Sequence, residues 1–316
     1  MKNIAQLNKA TSVKITTLVD NYIDLFLPST NKVKREPLIS DGSRPSGLLA
    51  EHGLSLLVDV FNESEHHQIL FDTGLTDIPL PYNLESMGIN LDNVEAVVLG
   101  HGHPDHIGGL IRIYRDRLVP KHAPLVVHPE AFKQRLNDFG GQIRVLKRLD
   151  KTTLNFLGVK IQENTSPILL GNNTILITGE IERVTDFEKG FPPARKIEDG
   201  QIKPDTAIKD EQSLVINVKD KGLVILSSCG HPGIINTILY AQKLTGEKRI
   251  YFVMGGFHLT GPIFEPLIEP TINEMKKLNP EIVVPTHCTG WKAINEFAKE
   301  MPDQFILNSV GTSYML

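Results

Sequence analysis

Short apolar and β-branched runs, each closed by turn residues, dominate the first part of the chain. They lie at 13–19, 54–61 and 68–71, and this length and composition predict the strands of a β-meander. The stretch 29–47 between the first two runs is polar, is interrupted by prolines and shows no periodicity, which predicts a long loop. Long loops in compact proteins are commonly functional lids or disordered segments.

From residue 95 onward, predicted strands alternate with predicted helices. An apolar stripe formed by Ile234, Ile235, Ile238 and Leu239 indicates an amphipathic helix over 232–244. We expect further helices at 107–114, 129–137, 266–278 and 291–299, and strands at 95–99, 124–128, 159–162, 174–178, 213–218, 223–226, 249–254, 281–285 and 304–307.

This order of elements predicts the fold class. Each half of the chain runs through strands and then through strand–helix pairs, which indicates two packed sheets with helices on their outer faces. No change of composition marks a linker, so we expect one domain over 1–316 with a polar loop insertion at about 29–47. The predicted architecture is therefore an α/β four-layer αββα sandwich.

Charge and hydropathy narrow the range of functions. The chain has 33 Lys and Arg against 37 Asp and Glu, a formal net charge of −4, and 41% hydrophobic residues. This composition is typical of a globular protein with no overall attraction for nucleic acid or for an anionic membrane. No run approaches the roughly 18 apolar residues of a membrane span. The segment 1–16 lacks the apolar core of a secretory signal, so we expect a cytoplasmic protein. The sequence does not specify its oligomeric state.

The segment 100–110, GHGHPDHIGGL, is the densest group of potential metal ligands in the chain. It follows the predicted strand 95–99 and offers His101, His103, Asp105 and His106. These four donors exceed what one tetrahedral ion takes from a single loop, which favours two ions. Residues two apart in an extended segment face the same way. We therefore expect His101 and His103 at one ion, and Asp105 and His106 at the second.

This H-x-H-x-D-H pattern after a strand, together with Phe71-Asp72-Thr73-Gly74 after an earlier one, resembles the metallo-β-lactamase-fold superfamily of metallohydrolases. The resemblance implies an αββα sandwich with a dinuclear metal centre at one edge of its sheets. More narrowly, the chain resembles the subgroup of 7,8-dihydropterin-6-yl-methyl-4-(ribofuranosyl)aminobenzene 5'-phosphate synthases. The segments that carry this match are LVDN (18–21), AEHGLSLLV (50–58), TGEIERVTDFE (178–188), DEQSLVI (210–216), SCGHPGIIN (228–236), GGFHL (255–259) and PTHCTG (285–290).

The resemblance implies three later ligands: a histidine, a bridging carboxylate or cysteine, and a final histidine. His287 follows the predicted strand 281–285 and matches the final one. The middle ligands match less directly, because Asp210-Glu211 stands where many relatives have a histidine and Ser228-Cys229 where they have Gly-Asp. We expect His231 to be the third imidazole and Cys229 to be a candidate soft ligand. Asp210 and Glu211 stay open as alternatives.

Other residues become candidates for catalysis or substrate binding. His258 follows the predicted strand 249–254 and is a candidate ligand, general acid or substrate contact. Arg183 is a candidate partner for a substrate phosphate, although a solvated loop arginine explains it equally well. The resemblance alone adds the turn residues Asp20, Asn21, Glu51 and His52 as substrate-binding candidates.

These residues predict a dinuclear hydrolase, or a synthase-like transferase, acting on a phosphorylated, pterin-like or phosphoester small molecule. Two divalent ions would supply a bridging hydroxide, with Asp105 orienting it. Imidazole and carboxylate ligands suit zinc best, and they also accept iron or manganese. One alternative is a di-iron redox protein on the same fold. That function would predict an attached flavin-binding domain or a more carboxylate-rich ligand set, and neither is evident in this sequence. Another is a non-catalytic metal-binding module, although nothing in the ligand set looks disabled.

Overall fold

Two large β-sheets face each other in the computed structural model, which describes residues 6–36, 42–45, 47–63 and 65–316. The strands are β1 (Lys9–Ala10), β2 (Ser12–Val19), β3 (Val33–Lys34), β4 (Ser55–Asn62), β5 (Glu65–Phe71), β6 (Val94–Val98), β7 (Leu125–Val127), β8 (Arg135–Asp138), β9 (Ile143–Val145), β10 (Ile161–Glu163), β11 (Ile168–Leu170), β12 (Ile175–Ile177), β13 (Ala194–Glu198), β14 (Gln201–Pro204), β15 (Leu214–Val218), β16 (Gly222–Leu226), β17 (Ile250–Gly256), β18 (Ile282–Thr286) and β19 (Ser313–Met315). The helices are α1 (Pro79–Met87), α2 (Pro104–Ile107), α3 (Leu110–Arg115), α4 (Lys151–Phe156), α5 (Ile234–Thr245), α6 (Ile268–Leu278) and α7 (Trp291–Glu300).

The strands in the described part of the chain form three sheets. The N-terminal sheet has the order β10-β7-β6-β5-β4-β2-β19-β3, and the C-terminal sheet has the order β11-β12-β15-β16-β17-β18 with β1 also paired to β15. A smaller sheet has the order β14-β13-β8-β9. Strands β5, β6 and β7 run parallel to one another, as do β16, β17 and β18.

Alternation of side chains along the strands builds the layers. In β4, Leu56, Val58 and Val60 enter the core between the two large sheets, whereas Leu57 faces the helices on the other side. The N-terminal sheet is covered by α1, α3 and α4, and the C-terminal sheet by α5, α6 and α7. The four-layer αββα sandwich predicted from the sequence is confirmed.

One edge of the sandwich collects the chain segments that carry the candidate ligands. The carboxyl ends of β5, β6, β16, β17 and β18 lie there because these strands are parallel within their sheets. Antiparallel pairing brings the end of β2 and the beginnings of β4 and β15 to the same edge. Residues far apart in sequence therefore converge at this edge.

Three sequence predictions differ from the structure. The predicted helix 129–137 is a short 3₁₀ turn, Pro129–Phe132, followed by β8, because β8 pairs with β9 and β13. The predicted strand 304–307 makes only an isolated bridge at Phe305, and the terminal strand is β19 instead. The predicted loop 29–47 contains β3, which pairs with β19. Its residues 37–41 and 46 lie outside the described residues. None of the described helices is long and apolar enough to cross a membrane.

A buried carboxylate replaces a side-chain cap at the beginning of α5. Glu188 accepts the backbone N–H groups of Ile235 at 3.0 Å and Asn236 at 2.8 Å, and its Oε2 accepts the hydroxyl of Thr185 at 3.1 Å. These groups satisfy N–H donors that a helix start leaves without intrahelical partners. Burial nevertheless outweighs them and raises the pKa of Glu188 to about 7.

The raised pKa of Glu188 predicts a pH-dependent stability. Between its ordinary pKa of 4.5 and about 7, the folded protein holds the Glu188 proton more firmly than the unfolded chain does. The free energy of unfolding should therefore fall as pH rises through this window, by up to about 3 kcal/mol from this group. Glu188→Gln cannot titrate, so urea unfolding should show the variant gaining stability relative to the wild type between pH 5 and pH 7.5 (on the order of 2 kcal/mol).

The matched control is Glu182→Gln, which changes an exposed carboxylate of the same segment. This control should keep the wild-type pH dependence. Equal slopes for Glu188→Gln and the wild type would contradict the prediction.

Candidate metal centre

The loop after β6 supplies the first group of potential ligands and packs tightly against its neighbours. A Cβ atom at Gly102 would lie 2.4 Å from the carbonyl oxygen of Ala131, and one at Gly100 would lie 2.1 Å from Cβ of Ser228. Only glycine fits at these two close approaches. The short helix α2 then begins at Pro104 and turns Asp105 and His106 away from the preceding residues.

Three imidazoles form a buried cluster, here called cluster A: His101, His103 and His231. The His103 Nδ1 and His231 Nε2 atoms lie 3.1 Å apart. His101 Nε2, His103 Nε2 and His231 Nδ1 are buried without a hydrogen-bond partner. The sulfur of Cys229 lies within 4.8 Å of ligand atoms of His101 and His231.

Cluster B consists of Asp105, His106 and His287, and the Cys229 sulfur is within 4.8 Å of their ligand atoms as well. His287 Nε2 lies 3.3 Å from Asp105 Oδ2 and 3.1 Å from His106 Nε2. Cys288 adds a second sulfur 3.1 Å from His287 Nε2. The Cys229 sulfur therefore lies between the two clusters.

Hydrogen bonds on the far side of cluster B determine which ring nitrogens are available. Asp72 Oδ2 accepts from His106 Nδ1 at 2.7 Å, and Asn21 Oδ1 accepts from His287 Nδ1 at 3.1 Å. With the hydrogens assigned to Nδ1, the Nε2 lone pairs face each other. Two lone pairs at hydrogen-bond distance repel unless a proton or a metal cation is shared between them. The donor set of cluster B therefore fits a metal ion.

Ser228 orients an imidazole of cluster A in the same way. Its hydroxyl donates to Asp72 Oδ2 at 2.5 Å, so its oxygen accepts from His101 Nδ1 at 3.2 Å. The Nε2 lone pair of His101 is then left buried and unpaired. A buried acceptor without a partner is costly, and a cation removes that cost. Cluster A therefore also fits a metal ion.

The two clusters differ in their electrostatics. Burial lowers the pKa of all three imidazoles in cluster A, to about 4 for His103, so they are neutral at pH 7. In cluster B, burial also acts to lower the pKa of His106, but the carboxylates of Asp72 and Asp105 raise it overall. Burial acts to raise the pKa of Asp105, yet His106 and His287 lower it overall. Neutral imidazoles and an ionised carboxylate are the forms that bind metal. Cluster A already has neutral imidazoles, whereas an ion at cluster B would displace protons from His106 and His287, whose pKa values are raised.

Asp210 and Glu211, the alternative ligands, hold the backbone of the ligand loops. Glu211 accepts the N–H groups of Cys229 at 3.0 Å, Gly230 at 2.5 Å and His231 at 2.8 Å. Asp210 Oδ2 accepts the N–H of Gly102 at 2.8 Å. Their carboxylate oxygens are therefore occupied by N–H donors, and neither residue belongs to cluster A or cluster B.

Arg135 neutralises the buried Asp210. It donates through Nη2 to Asp210 Oδ1 at 2.6 Å and through Nε to Asp205 Oδ2 at 2.8 Å. Burial acts to raise the pKa of Asp210, but Arg135 lowers it overall. Strand β8, which carries Arg135, is thereby tied to the loop that holds His101 and His103.

The substrate-binding candidates fall into two groups. Asp20 accepts the backbone N–H of His287 at 3.0 Å, and Asn21 donates to the His287 carbonyl at 3.2 Å. Glu51 accepts the N–H of Leu75 at 2.8 Å. These three residues support the edge loops. His52 lies at the surface of the site, with Nε2 3.6 Å from Asp105 Oδ2.

Arg183 and His258 both contact His231, Arg183 at its backbone carbonyl and His258 at its ring. The Arg183 guanidinium donates to the backbone carbonyls of Ala207 and His231, and it does not line the cleft over the clusters. His258 does line that cleft. Its ring lies 4.1 Å from the His231 ring, and its Nδ1 lies 3.4 Å from Cys229 Sγ.

The clusters open into a cleft of about 410 Å³. This volume is within the usual range for small-molecule sites. The floor includes His103, Asp105, Cys229, His231 and Cys288, and apolar side chains line much of the rest.

Sequence reasoning did not assign Asp72, Ser228 or Cys288. Asp72 and Cys288 each lie in a segment that carries the family resemblance, and Cys288 directly follows His287. Backbone strain also marks this region, because Asp72, His258 and His287 have positive φ angles of 60, 48 and 47°. Strained non-glycine residues concentrate at functional sites.

The fold and this edge site together define a class of metal-dependent enzymes, and the chain belongs to the metallo-β-lactamase superfamily. The family pattern described as the metallo-beta-lactamase superfamily matches residues 48–195. The chain is 31% identical over 308 residues to the 7,8-dihydropterin-6-methyl-4-(beta-D-ribofuranosyl)-aminobenzene-5'-phosphate synthase of Methanocaldococcus jannaschii, a match that covers 96% of each chain. These findings confirm the resemblance inferred from the sequence.

Two further proteins are similar to this chain over most of its length. An uncharacterized protein of Methanocaldococcus jannaschii is 28% identical over 276 residues, covering 87% of this chain and 97% of the relative. The crystal structure of a metal-dependent hydrolase of the beta-lactamase superfamily superposes with a TM-score of 0.73 at 26% identity, covering 96% of this chain and 99% of that one.

The hydrogen bond from His106 Nδ1 to Asp72 predicts that Asp72 increases the affinity of cluster B for metal. Asp72→Ala removes the acceptor that holds the His106 hydrogen on Nδ1, so the affinity for Zn²⁺ should fall by about 10- to 100-fold. Competition titration with a chromogenic zinc chelator measures this. Asp59→Ala is the matched control because Asp59 bonds His66 Nε2 at 2.8 Å on β4 and β5, outside both clusters. Equal zinc affinities for Asp72→Ala and the wild type would refute this role.

Proposed function

We propose that this protein is a metal-dependent hydrolase that cleaves a phosphoester bond in a phosphorylated, pterin-like small molecule. The observation that carries the proposal is the pair of clusters beside the Cys229 sulfur at the floor of an open cleft. The similarity over 96% of the chain to a synthase named for a dihydropterin-containing phosphate supports the substrate class.

Two divalent cations, zinc by preference for this donor set, would be held by cluster A and cluster B, with Cys229 as a further donor between them. When bound, such cations lower the pKa of a water and stabilise negative charge on phosphoryl oxygens. Cys288 is an additional candidate donor at cluster B. Iron or manganese would also be accepted by the imidazoles and the carboxylate.

The protein groups at the floor of the cleft have separate roles in this proposal. Asp105 is ionised at neutral pH because His106 and His287 outweigh the effect of burial on its pKa. It can therefore orient the hydrogens of an attacking water. His258 lines the same cleft and can donate a proton to the leaving oxygen. Asp20, Asn21, Glu51 and Arg183 hold the loops in place and do not line the cleft.

A second candidate function is a synthase-type transfer reaction. One observation favours it: the relative that matches 96% of the chain is named as a synthase. Mass spectrometry of products formed from a pterin-bearing phosphoester, with and without an arylamine, distinguishes the two. Hydrolysis gives the same products in both samples, whereas transfer gives a new adduct only with the amine.

The first prediction from this proposal concerns metal content. Purified protein should hold close to two transition-metal ions per chain, measured by inductively coupled plasma mass spectrometry. Asp105→Ala should lose mainly the cluster B ion and lower kcat/KM for phosphoesters at least about 100-fold, because it removes the one carboxylate of the clusters.

Asp92→Ala is the control because Asp92 is exposed in the turn before β6. This control should keep both ions and full activity. Full activity in a variant lacking both His103 and Asp105 would rule out the two-cluster proposal.

The second prediction concerns the reaction. On one metal-loaded sample, kcat/KM for an aryl phosphodiester or phosphomonoester should exceed kcat/KM for a chromogenic β-lactam. The reason is that the positive charge of the bound cations stabilises an anionic phosphoryl group more than it stabilises a neutral lactam ring. His258→Ala should lower kcat by about 100-fold with a smaller change in KM, as expected for a proton donor in the transition state.

His122→Ala controls for the loss of an imidazole because His122 is exposed and does not line the cleft. It should leave kcat and KM unchanged. A preference for the lactam would count against the phosphoester substrate. An unchanged kcat in His258→Ala would count against the proton donor.

A further inference from the structure

The small sheet forms the outer wall of the cleft above the clusters. Asn137 on β8, Arg144 on β9 and Phe139 in the turn between these strands all line the cleft. Asn137 and Arg144 are directly paired across the two strands, so their side chains share one face of the sheet. This wall was not predicted from the sequence.

A line of aromatic rings leads from the clusters to this wall. The Phe191 ring lies 6.0 Å from the His231 ring and stacks with it at an interplanar angle of 22°. The Phe139 ring lies 6.3 Å further on, measured between the centroids of Phe139 and Phe191. Phe191 is buried, whereas 48% of Phe139 is exposed. Phe139 therefore presents a large apolar surface at the outer end of the cleft.

The polar groups on the wall are unpaired. In the described part of the chain, Arg144 is the one Lys or Arg that lines the cleft, and its guanidinium has no ion-pair or hydrogen-bond partner. The Oδ1 atom of Asn137 is buried and also lacks a partner. Arg135 and Arg183, by contrast, donate to carboxylates or backbone carbonyls of the protein. The exposed Arg144 guanidinium at the wall of this apolar cleft is therefore available to a ligand, and the Asn137 amide paired across from it has an unsatisfied oxygen.

We propose that Phe139, Asn137 and Arg144 form a specificity subsite for a planar heteroaromatic ring that carries an anionic group at the end remote from the reacting bond. The ring packs against Phe139 and Phe191, the Asn137 amide pairs with a polar ring edge, and Arg144 neutralises the anion. This inference rests on the proposed function for which end of the substrate reacts. It assigns selectivity to the small sheet and chemistry to the edge loops.

The chemistry of the wall determines the ligand class. An aromatic ring packs on phenylalanine with a preference of about 0.5–1.5 kcal/mol beyond area burial. A guanidinium matches carboxylate and phosphate groups through two parallel N–H donors. An aliphatic anion lacks the first interaction, and a neutral aromatic ring lacks the second. The subsite therefore discriminates by ring and charge together.

The test uses fluorescence anisotropy with two probes, 6-carboxypterin and uncharged pterin, on the full-length protein as purified. The wild type should bind 6-carboxypterin more tightly than pterin. Arg144→Gln should lower the affinity for 6-carboxypterin by about tenfold and leave the affinity for pterin unchanged, because only the charged probe loses a charge-assisted hydrogen bond. Phe139→Ser should lower the affinity for each of the two probes by about fivefold.

Two matched variants control for surface changes outside the cleft. Arg148→Gln removes an exposed arginine of the same segment, and Phe156→Ser removes a phenylalanine that is 89% exposed on α4. Neither residue lines the cleft, so both should bind both probes like the wild type. The Arg144 effect should also shrink at 0.5 M salt because the pair is exposed to solvent.

The possible outcomes separate this proposal from the proposed function. Arg144→Gln binding both probes like the wild type, or weakening both equally, overturns the subsite. A wild type that prefers uncharged pterin also overturns it. Because binding is measured without turnover, a protein that binds 6-carboxypterin through Arg144 but cleaves no phosphoester rejects only the hydrolysis.

Discussion

Confinement of imidazole lone pairs among buried side chains at one sheet edge is the constraint on which the site depends. His106 and His287 are each held by a hydrogen bond at Nδ1, so their Nε2 atoms meet at 3.1 Å. His101 is oriented from behind by Ser228 and has no partner at Nε2. Such an arrangement is unfavourable until a cation is present, since buried acceptors without partners are costly. The surrounding hydrogen bonds maintain it against this cost.

Buried carboxylates supply much of that restraint. Asp20 connects the end of β2 to the loop after β18, and Asp72 connects the end of β5 to Ser228 after β16. Glu211 accepts three consecutive N–H groups around His231. Each of these carboxylates joins two strand ends, and two of the three contacts cross between the large sheets. The spacing of the two clusters therefore depends on how the sheets pack.

The sequence predicted the sandwich and most of the edge because both depend on local signals. The strand at 95–99 and the motif from His101 to His106 are contiguous, and His287 follows its strand directly. The small sheet was missed because it forms through long-range pairing: β8 pairs with β13, about 60 residues later, and no alternating pattern marks 135–138 as a strand. The support given by Asn21 and Asp72 to the histidines is likewise a tertiary contact. The sequence also could not distinguish a structural role of Arg183 from a substrate contact, because its carbonyl acceptors are identified only in the folded structure.

The small sheet links two parts of the site that differ in their tolerance of change. Arg135 on β8 pairs with buried Asp205 and Asp210, and Asp210 accepts the N–H of Gly102 in the ligand loop. Loss of one partner from such a buried ion pair costs about 3–5 kcal/mol. Asn137 and Phe139, two and four positions after Arg135, make no such ion pairs, and Phe139 is half exposed. Substitutions at exposed positions such as Phe139 usually change stability by less than about 0.5 kcal/mol. The wall of the cleft can therefore change its selectivity while the strand that carries it continues to hold the metal-ligand loop in place.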